Sequence, residues 1–270
     1  MEPEETLNIT RSLLGATLST ESGGSGTASG ALATVVGDAA QYERLECGMR
    51  LGDYLIERQL GAGGMGQVFE ARGPGGKKVA LKYLERAGAR LLYRFKQEFR
   101  ALAHVTHENL VQLGELVVLP DEAAFFTMEV VAGVSFDEYV RGRTAAGRLP
   151  NLARLRRALR QLVVGVRHLH RNGCIHRDLK PSNVMVTPEG RVVILDFGLV
   201  QDNAEDASDD DQLMGTPAYM SPEQAGMEKA GPAADWYAVG VMLFECLSGR
   251  RPFRGSVSHV LFAKREYRSE

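Results

Sequence analysis

The chain has 270 residues, a hydrophobic fraction of 44% and a formal net charge of −2, from 32 basic and 34 acidic side chains. This length suits one large domain or two small ones, and the apolar content is sufficient for a sizeable core. The near-balance of charge provides no global positive field, which argues against nucleic acid and against an anionic membrane surface as partners.

Cysteine usage and apolar runs indicate the compartment. Cys47, Cys174 and Cys246 are odd in number and far apart, so they predict neither a disulfide framework nor a metal site. We therefore expect a reducing compartment, the cytoplasm. The acidic start of the chain lacks a signal-peptide pattern, and the longest apolar run, 237–247, is too short to span a bilayer. A soluble chain without a membrane segment is expected.

Residues 1–48 are expected to form a flexible leader. The segment 19–30 is nearly all Ser, Thr, Gly and Ala, and such a composition buries too little surface to offset the entropy of ordering. Its hydroxyl groups are candidate phosphorylation sites, although a solvated linker is the simpler interpretation. Order is expected to begin near Leu51.

A glycine-rich loop follows between two β-type runs, 54–56 and 67–71. A lone Gly-x-Gly-x-x-Gly pattern is a weak signal, because it often only makes a tight turn. The pattern also marks dinucleotide-binding folds when a helix follows it, but here a strand follows. A glycine loop between antiparallel strands is a flap whose backbone amides can approach phosphate oxygens. The loop consists of Gly61, Ala62, Gly63, Gly64, Met65 and Gly66.

A lysine and a glutamate form the next candidate pair. Lys82 lies near the end of the strand-like run 78–83, and Glu98 lies beside the apolar face of a helix predicted around 92–103. A carboxylate beside an apolar face is costly unless it is paired. Lys82 is a suitable partner and would still have ammonium protons to donate to a phosphate. Either residue alone could equally be a surface group.

The remaining elements change from strand to helix along the chain. Strand-like runs at 110–119 and 124–131 complete a mostly antiparallel sheet. Leucines at helical spacing then predict a helix that begins after Asn151 and ends at Asn172-Gly173. Its arginines are best explained as a solvated face. A second helix, 235–248, is apolar nearly all round and is expected to be buried.

A cluster of polar side chains lies between these helices. Asp178, Lys180 and Asn183 lie within six residues, and Asp196 follows a predicted hairpin over 184–195. The hairpin is expected to bring the four side chains to one edge. Carboxylate and amide oxygens are ligands that Mg²⁺ takes, so we expect a site for a phosphate-bearing substrate.

The order of these motifs resembles the protein kinases. His176-Arg177-Asp178 resembles the catalytic loop and Asp196-Phe197-Gly198 the metal-binding signature, while Ser221-Pro222-Glu223 stands where Ala-Pro-Glu is usual. The amino-acid sequence from Gly215 to Gln224 is similar to that of bacterial Ser/Thr kinases. The resemblance covers about residues 51–255. It implies an α+β, bilobal kinase fold with an N-lobe over 49–131 and a mainly helical C-lobe over 132–270.

The resemblance assigns chemical roles. Asp178 would accept or orient the proton of the substrate hydroxyl, and Lys180 would neutralise charge on the transferring phosphoryl group. Asn183 and Asp196 would hold Mg²⁺, while Lys82, paired with Glu98, would hold the α- and β-phosphates of ATP under the glycine loop. The occurrence of Lys180 together with Thr216 is typical of Ser/Thr rather than Tyr kinases.

The resemblance also predicts where adenine would bind. Met128 would guard the back of the pocket, and backbone groups of Glu129 and Val131 would contact the base. Val68, Ala80 and Met185 would sandwich the ring, although plain core packing is the simpler explanation for these three.

Two further expectations concern the acidic stretch after Asp196 and the end of the C-lobe. The polar stretch 201–212 has six acids and is expected to be a mobile loop. In kinases an arginine at the position of Arg177 often pairs with a phosphate on this loop. The acids beside Ser208 could replace that phosphate, so we expect activity without phosphorylation of the loop. A solvated acidic loop is an equal alternative. Kinase domains of this type usually continue with more helices, so we expect a C-lobe that is incomplete at Glu270, leaving a buried Glu223 without its usual arginine partner.

The sequence thus predicts an ATP-dependent protein Ser/Thr kinase. Its partner would be a protein carrying a Ser or Thr acceptor, with self-association for autophosphorylation as an open possibility. A truncated pseudokinase or ATP-binding scaffold, and a small-molecule phosphotransferase on a kinase-like fold, are the alternatives.

Overall fold

The computed structural model describes residues 45–63, 66–84, 89–119, 123–142, 149–196 and 216–266. Most of the predicted leader and the whole acidic stretch 201–212 lie outside these residues. The chain forms two compact units. The first comprises the described residues up to Thr106 together with Val111–Val131, and the second comprises His107–Leu110 and the described residues from Ala132 onward.

The first unit is a six-stranded antiparallel sheet with one helix, α1. The strand order is β1-β2-β3-β4-β6-β5. Apart from β1, the strands and the helix correspond to segments predicted from β-type runs and helical spacing, although β2 and β3 extend into the glycine loop. The bounds are Arg50–Leu51 for β1, Tyr54–Gly63 for β2, Gly66–Arg72 for β3, Lys78–Leu84 for β4, Ala89–Leu102 for α1, Leu113–Val118 for β5 and Ala124–Met128 for β6.

One face of this sheet forms a core. Alternation along β3, β4 and β6 places Phe69, Leu81 and Phe125 on that face, where they are almost fully buried. Leu45 belongs to the same cluster, and the N–H of Gly48 donates to the carbonyl of Ile56 at 2.8 Å. The described chain therefore packs against the sheet before Leu51, because the apolar side chain of Leu45 reaches the core.

The second unit is mainly helical and confirms the predicted α+β class. Asn151 caps α3 as predicted, since its side chain accepts hydrogen bonds from the backbone N–H groups of Ala153 and Arg154. Gly173 follows that helix with φ 74°, a left-handed conformation that glycine adopts readily. The helices are Phe136–Arg141 (α2), Leu152–Arg171 (α3), Pro222–Ala225 (α4), Pro232–Ser248 (α5) and Val257–Glu266 (α6).

The predicted hairpin belongs to a small sheet of the second unit. Its strands are Val134–Ser135 (β7), Val184–Val186 (β8) and Val192–Ile194 (β9), in the order β7-β8-β9. Strands β8 and β9 are antiparallel, with Val184 opposite Ile194. A 3₁₀ turn, Pro181–Asn183, precedes β8, and the proline at its start prevents a continuous α-helix through this segment.

The segment His107–Leu110 packs in the second unit, although the sequence places it among the strands of the first. The Asn109 side-chain amide donates to the carbonyl of Val192 at 2.8 Å, and the backbone carbonyl of Asn109 accepts from the N–H of Ile194 at 2.9 Å. These hydrogen bonds attach the segment to β9. Within the described part of the chain, no helix has the length and apolar character needed to cross a membrane.

Candidate active site

The glycine loop is a tight hairpin between β2 and β3. Gly61 pairs with Val68, and Gly63 pairs with Gly66. Gly64 and Met65, between the last pair, lie outside the described part. Gly66 has φ 116°, and a Cβ there would lie 2.1 Å from the carbonyl oxygen of Tyr83. A side chain at this position would force β3 away from β4, so this glycine is required by packing as well as by conformation.

Lys82 lies on the face of the sheet opposite the Phe69 core. Its register partners are Val68 on β3 and Phe126 on β6, and Ala80 pairs with Met128 on the same face. Lys82 is 2% exposed, and its Nζ lies 5.7 Å from the Phe126 ring centroid. The sheet therefore brings together Lys82 and the two residues of this unit, Val68 and Ala80, that were predicted to contact adenine.

Helix α1 packs on this same face. Phe95 and Phe99 contact Phe126, with ring centroids 4.9 and 5.8 Å away. Glu98 lies between these two phenylalanines along the helix. Its side chain lies outside the described part, so the ion pair of Lys82 with Glu98 stays a prediction.

The predicted adenine-binding segment follows β6. The N–H of Glu129 donates to the carbonyl of Gln112 at 2.9 Å, and the Glu129 carboxylate accepts from the N–H of Gln112 at 3.0 Å. The Glu129 backbone is thus anchored through its N–H. The N–H of Val131 has no hydrogen-bond acceptor among the residues that the structure describes. A donor of this kind is suited to a ring nitrogen of a nucleobase.

In the second unit, one buried carboxylate holds the segment His176–Asp178. Asp235, in the first turn of α5, is 1% exposed. Its Oδ1 accepts from the N–H of Arg177 at 2.8 Å, and its Oδ2 accepts from the N–H of His176 at 2.9 Å and lies 2.7 Å from Nε2 of His170. Each oxygen has at least one hydrogen-bonding partner, as a buried charge requires.

The backbone of this segment is strained where it is held. Arg177 has φ 65°, which is uncommon for a residue with a side chain. Its carbonyl accepts from the Gln224 side chain at 2.8 Å, and Gln224 is itself fixed by a capping box with Ser221 at the start of α4. Contacts to Asp235 and Gln224 on both sides of one residue maintain a conformation that local energetics disfavour.

His176 connects this segment to the end of the hairpin. It is fully buried, and its Nε2 donates to the carbonyl of Leu195 at 2.8 Å. Its Nδ1 accepts from the N–H of Asp178 at 3.3 Å. These two contacts assign the tautomer with the proton on Nε2. The N–H of Leu195 in turn donates to the carbonyl of Asn183 at 2.8 Å, so the residue before Asp196 is fixed relative to Asn183.

The predicted catalytic side chains form one hydrogen-bonded cluster. Lys180 Nζ donates to Asp178 Oδ2 at 2.8 Å and to Thr216 Oγ1 at 3.0 Å. The Asn183 amide donates to the carbonyl of Asp178 at 2.9 Å and to its Oδ2 at 3.2 Å. The N–H of Thr216 donates to Asp178 Oδ1 at 3.1 Å. The Asp178 carboxylate is therefore oriented by a cation, an amide and a backbone N–H.

The residues predicted to hold Mg²⁺ have suitable donor atoms. Asn183 Oδ1 is buried and accepts no hydrogen bond from any residue that the structure describes. Asp196 is half-buried and has φ 43°, a second strained residue at this site. Within the described ranges no cluster of three or more His, Cys, Asp or Glu could enclose a metal by itself. Magnesium commonly uses one or two protein ligands together with substrate phosphates, so this donor set fits the ion.

Met185, the third residue predicted to contact adenine, lies in β8 and is 1% exposed. It belongs to the second unit, whereas Val68 and Ala80 belong to the first. Its proposed contact with the base therefore stays a prediction.

The segment after Thr216 rests on a lysine that the sequence did not single out. Lys264 of α6 is fully buried and donates to the carbonyls of Ala218, at 3.0 Å, and Met220. Its Nζ lies 5.1 Å from the centroid of the Tyr237 ring. Burial lowers the pKa of Lys264 to about 8. Glu223, expected to be buried, is half-buried in the first turn of α4.

Comparison with known proteins agrees with this arrangement. The model of the protein kinase domain matches residues 54–268. The chain is 38% identical to the serine/threonine-protein kinase pkn2 of Myxococcus xanthus over 216 residues, which cover 76% of this chain and 25% of that protein. It is 37% identical to the serine/threonine-protein kinase PknA of Mycobacterium tuberculosis (strain ATCC 25618 / H37Rv), with 76% of this chain and 48% of the relative covered.

A third relative is the serine/threonine-protein kinase PrkC of Bacillus subtilis (strain 168), which is 33% identical over 224 residues, 81% of this chain and 34% of that protein. The chain thus spans a quarter to a half of the length of these three relatives. Because the protein kinase domain model matches residues 54–268, most of the chain, the chain belongs to the protein kinase family.

Proposed function

We propose that the protein is an ATP-dependent Ser/Thr kinase, which transfers the γ-phosphoryl group of ATP to a Ser or Thr hydroxyl of a protein. The observation that carries the proposal is the hydrogen-bonded cluster around Asp178, in which Lys180, Asn183 and Thr216 all contact its carboxylate. The names of the relatives and the family match support the same activity.

Asp178 accepts the proton of the acceptor hydroxyl in this proposal. The hydroxyl oxygen then forms a bond to the γ-phosphorus, and the bond from that phosphorus to the bridging oxygen breaks, so that ADP leaves. Phosphoryl transfer depends on positioning and on charge stabilisation more than on covalent chemistry. Lys180, whose Nζ lies 2.8 Å from Asp178 Oδ2, is placed to orient the base and to neutralise charge on the transferring group.

Asn183, through its buried Oδ1, and Asp196 would hold Mg²⁺, which when bound supplies positive charge against the phosphate oxygens. Lys82 would contact the α- and β-phosphates, and its pairing with Glu98 is part of the proposal. The amides of the hairpin Gly61–Gly66 would cover those phosphates. Adenine would accept a hydrogen bond from the Val131 N–H and donate to the Glu129 carbonyl, with Val68, Ala80 and Met185 against the ring.

The proposal extends to the compartment, to self-association and to the division of the chain. Cys47, Cys174 and Cys246 are odd in number and far apart in the sequence, and this spacing supports action in a reducing compartment such as the cytoplasm. Self-association for autophosphorylation is proposed from the resemblance to kinases. The composition of the chain and the same resemblance support a leader followed by a sheet-containing N-lobe and a helical C-lobe.

Transfer of labelled phosphate from ATP to a generic basic protein, followed by phosphoamino-acid analysis, tests the activity. We expect label on serine and threonine but not on tyrosine. Binding of ATP without any transfer would instead identify an ATP-binding scaffold. Label on a small molecule, with none on protein, would identify a small-molecule phosphotransferase.

A further inference from the structure

A cavity of about 420 Å³ lies in the second unit, beside the segment that contacts Asp178. Thr216, Pro217 and Ala218 form one side of the cavity. The end of α5, the turn after it and the start of α6 form the other side. We call this space the arginine cavity, because Arg250, Arg251 and Arg254 all line it.

The charges around the arginine cavity are unbalanced. Among the residues that the structure describes, its lining carries three guanidinium groups and one carboxylate, Glu245. Arg251 Nε lies 3.8 Å from Glu245 Oε1, and Arg250 lies over the Phe244 ring, 5.8 Å from its centroid. The Arg254 side chain makes neither a hydrogen bond nor an ion pair with the residues that the structure describes. Two of the three cations are therefore not matched by an acid there.

The carboxylate of Glu245 is already engaged. Glu245 Oε2 accepts a hydrogen bond from the Tyr219 hydroxyl at 2.5 Å, and its Oε1 faces Arg251. Burial and the adjacent carboxylate raise the pKa of Tyr219, so this hydroxyl stays a donor at all ordinary pH values. Glu245 thus serves to hold Tyr219 and Arg251, and it leaves Arg250 and Arg254 available to an external anion.

The arginine cavity is directly connected to the proposed reaction centre. Thr216 lines the cavity, and the same residue donates its N–H to Asp178 Oδ1 and accepts from Lys180 Nζ. A peptide that presents its hydroxyl to Asp178 would pass beside this wall. Side chains a few residues from the acceptor would then reach the arginines.

We propose that the arginine cavity binds an anionic side chain of the protein substrate, a carboxylate or a phosphoryl group, a few residues from the acceptor hydroxyl. This inference rests on the proposed kinase function and adds the class of substrate. Arginine is suited to either anion, because its planar guanidinium donates two parallel hydrogen bonds. A charge-assisted contact of this kind corresponds to about a tenfold preference for an anionic peptide over a neutral one.

The test compares peptides that differ at one position. In a peptide with one acceptor serine, one position at a time on either side of that serine is occupied by Ala, Glu, phosphoserine or Lys. The value of kcat/KM is measured for each peptide. We expect Glu or phosphoserine at one position to raise kcat/KM about tenfold over Ala, through a lower KM. The comparison of Glu with phosphoserine distinguishes the two sources of negative charge. No preference for either anion at any position would overturn the proposal.

Substitutions assign the preference to the cavity. Arg254→Gln and Arg250→Gln should reduce the ratio of anionic to neutral kcat/KM toward one, and Arg254→Glu should favour the Lys peptide. Arg156→Gln, an exposed arginine on α3, is the matched control and should keep the full ratio. All three arginine side chains are exposed, so loss of folding is not expected. A preference that survives the substitutions at 250 and 254 would also overturn the proposal.

A binding experiment separates this inference from the kinase activity itself. Fluorescence anisotropy is measured with labelled peptides in which Ala replaces the acceptor serine, so no turnover is needed. We expect the Glu or phosphoserine peptide to bind about tenfold more tightly than the neutral one, with the difference lost in Arg254→Gln. Arginine-dependent binding without any phosphoryl transfer would reject the kinase function and retain the anion site. Phosphoryl transfer without arginine-dependent binding would retain the kinase function and reject the anion site.

Discussion

Replacing Asp235 with asparagine tests how the segment His176–Asp178 is held. The carboxylate has 1% exposure and contacts two backbone N–H groups and the His170 ring. In the better orientation of an asparagine, the amide oxygen takes the place of Oδ2 and keeps the contacts with His176 and His170. The amide NH₂ then faces the N–H of Arg177, so two donors oppose each other.

The cost can be worked from these contacts. A buried donor without an acceptor costs about 1–3 kcal/mol, and replacing charged by neutral acceptors weakens the two remaining hydrogen bonds by about 1 kcal/mol in total. We therefore expect Asp235→Asn to lower the free energy of unfolding by about 2–4 kcal/mol. That loss is smaller than the stability of most domains, which is about 5–15 kcal/mol, so the variant should fold.

The effect on turnover follows from the backbone of Arg177. Its φ of 65° is disfavoured and is held partly by the hydrogen bond to Asp235. Once that bond is lost, Arg177 relaxes and the adjacent Asp178 moves. A displacement of about 1 Å at a reacting group lowers the rate on the order of 100-fold. Apparent affinity for ATP should change little, because Lys82 and the glycine hairpin belong to the other unit.

Urea unfolding and steady-state kinetics measure both quantities. Asp53→Asn, at an exposed aspartate, is the matched control and should change stability by less than about 0.5 kcal/mol. If Asp235→Asn unfolded at the wild-type urea concentration and kept the wild-type kcat, the assignment of Asp235 as the anchor of this segment would be wrong.

Three further changes test other parts of the structure. Gly66→Ala should destabilise the protein by about 1–3 kcal/mol in urea unfolding, because its Cβ would meet the Tyr83 carbonyl, while Gly240→Ala, whose Cβ meets nothing within 4 Å, should not. Burial lowers the pKa of Lys264 from 10.5 to about 8, so between these pH values the unfolded chain binds more protons than the folded chain. Relative to Lys264→Met, the free energy of unfolding of the wild type should therefore rise by about 1 kcal/mol per pH unit in this range. A difference between the two proteins that does not change with pH would contradict the burial of Lys264. Ser208→Ala should keep kinase activity, since we propose that the acids around it replace a phosphate; a dead variant would refute this.

Local patterns predicted the parts of the site that depend on neighbouring residues. Alternation along β3 and β4 places Lys82, Val68 and Ala80 on one face, and apolar runs with a turn between them produced the hairpin that leads to Asp196. These features follow from strand geometry, in which side chains at i and i+2 share a face.

Other parts of the site depend on residues far apart in the chain, and no local pattern predicted them. Gln224 contacts the Arg177 carbonyl across 47 positions, and Thr216 contacts Asp178 across 38. Lys264 would be expected at the surface, since lysine is rarely fully buried, yet tertiary packing places it beneath two carbonyls. Glu98 could be located on α1, but its side-chain contact is a tertiary feature that helix spacing alone does not determine.

The central claim is that the Asp178 carboxylate acts on the acceptor hydroxyl while other residues bind ATP. Single-turnover transfer of labelled γ-phosphate, with ATP binding measured on the same samples, tests it most directly in wild type and Asp178→Asn. We expect the Kd for ATP to remain within a few-fold of wild type and the transfer rate to fall on the order of 100-fold or more, as for loss of a general base. A variant that binds ATP normally and transfers phosphate at the wild-type rate would contradict the claim.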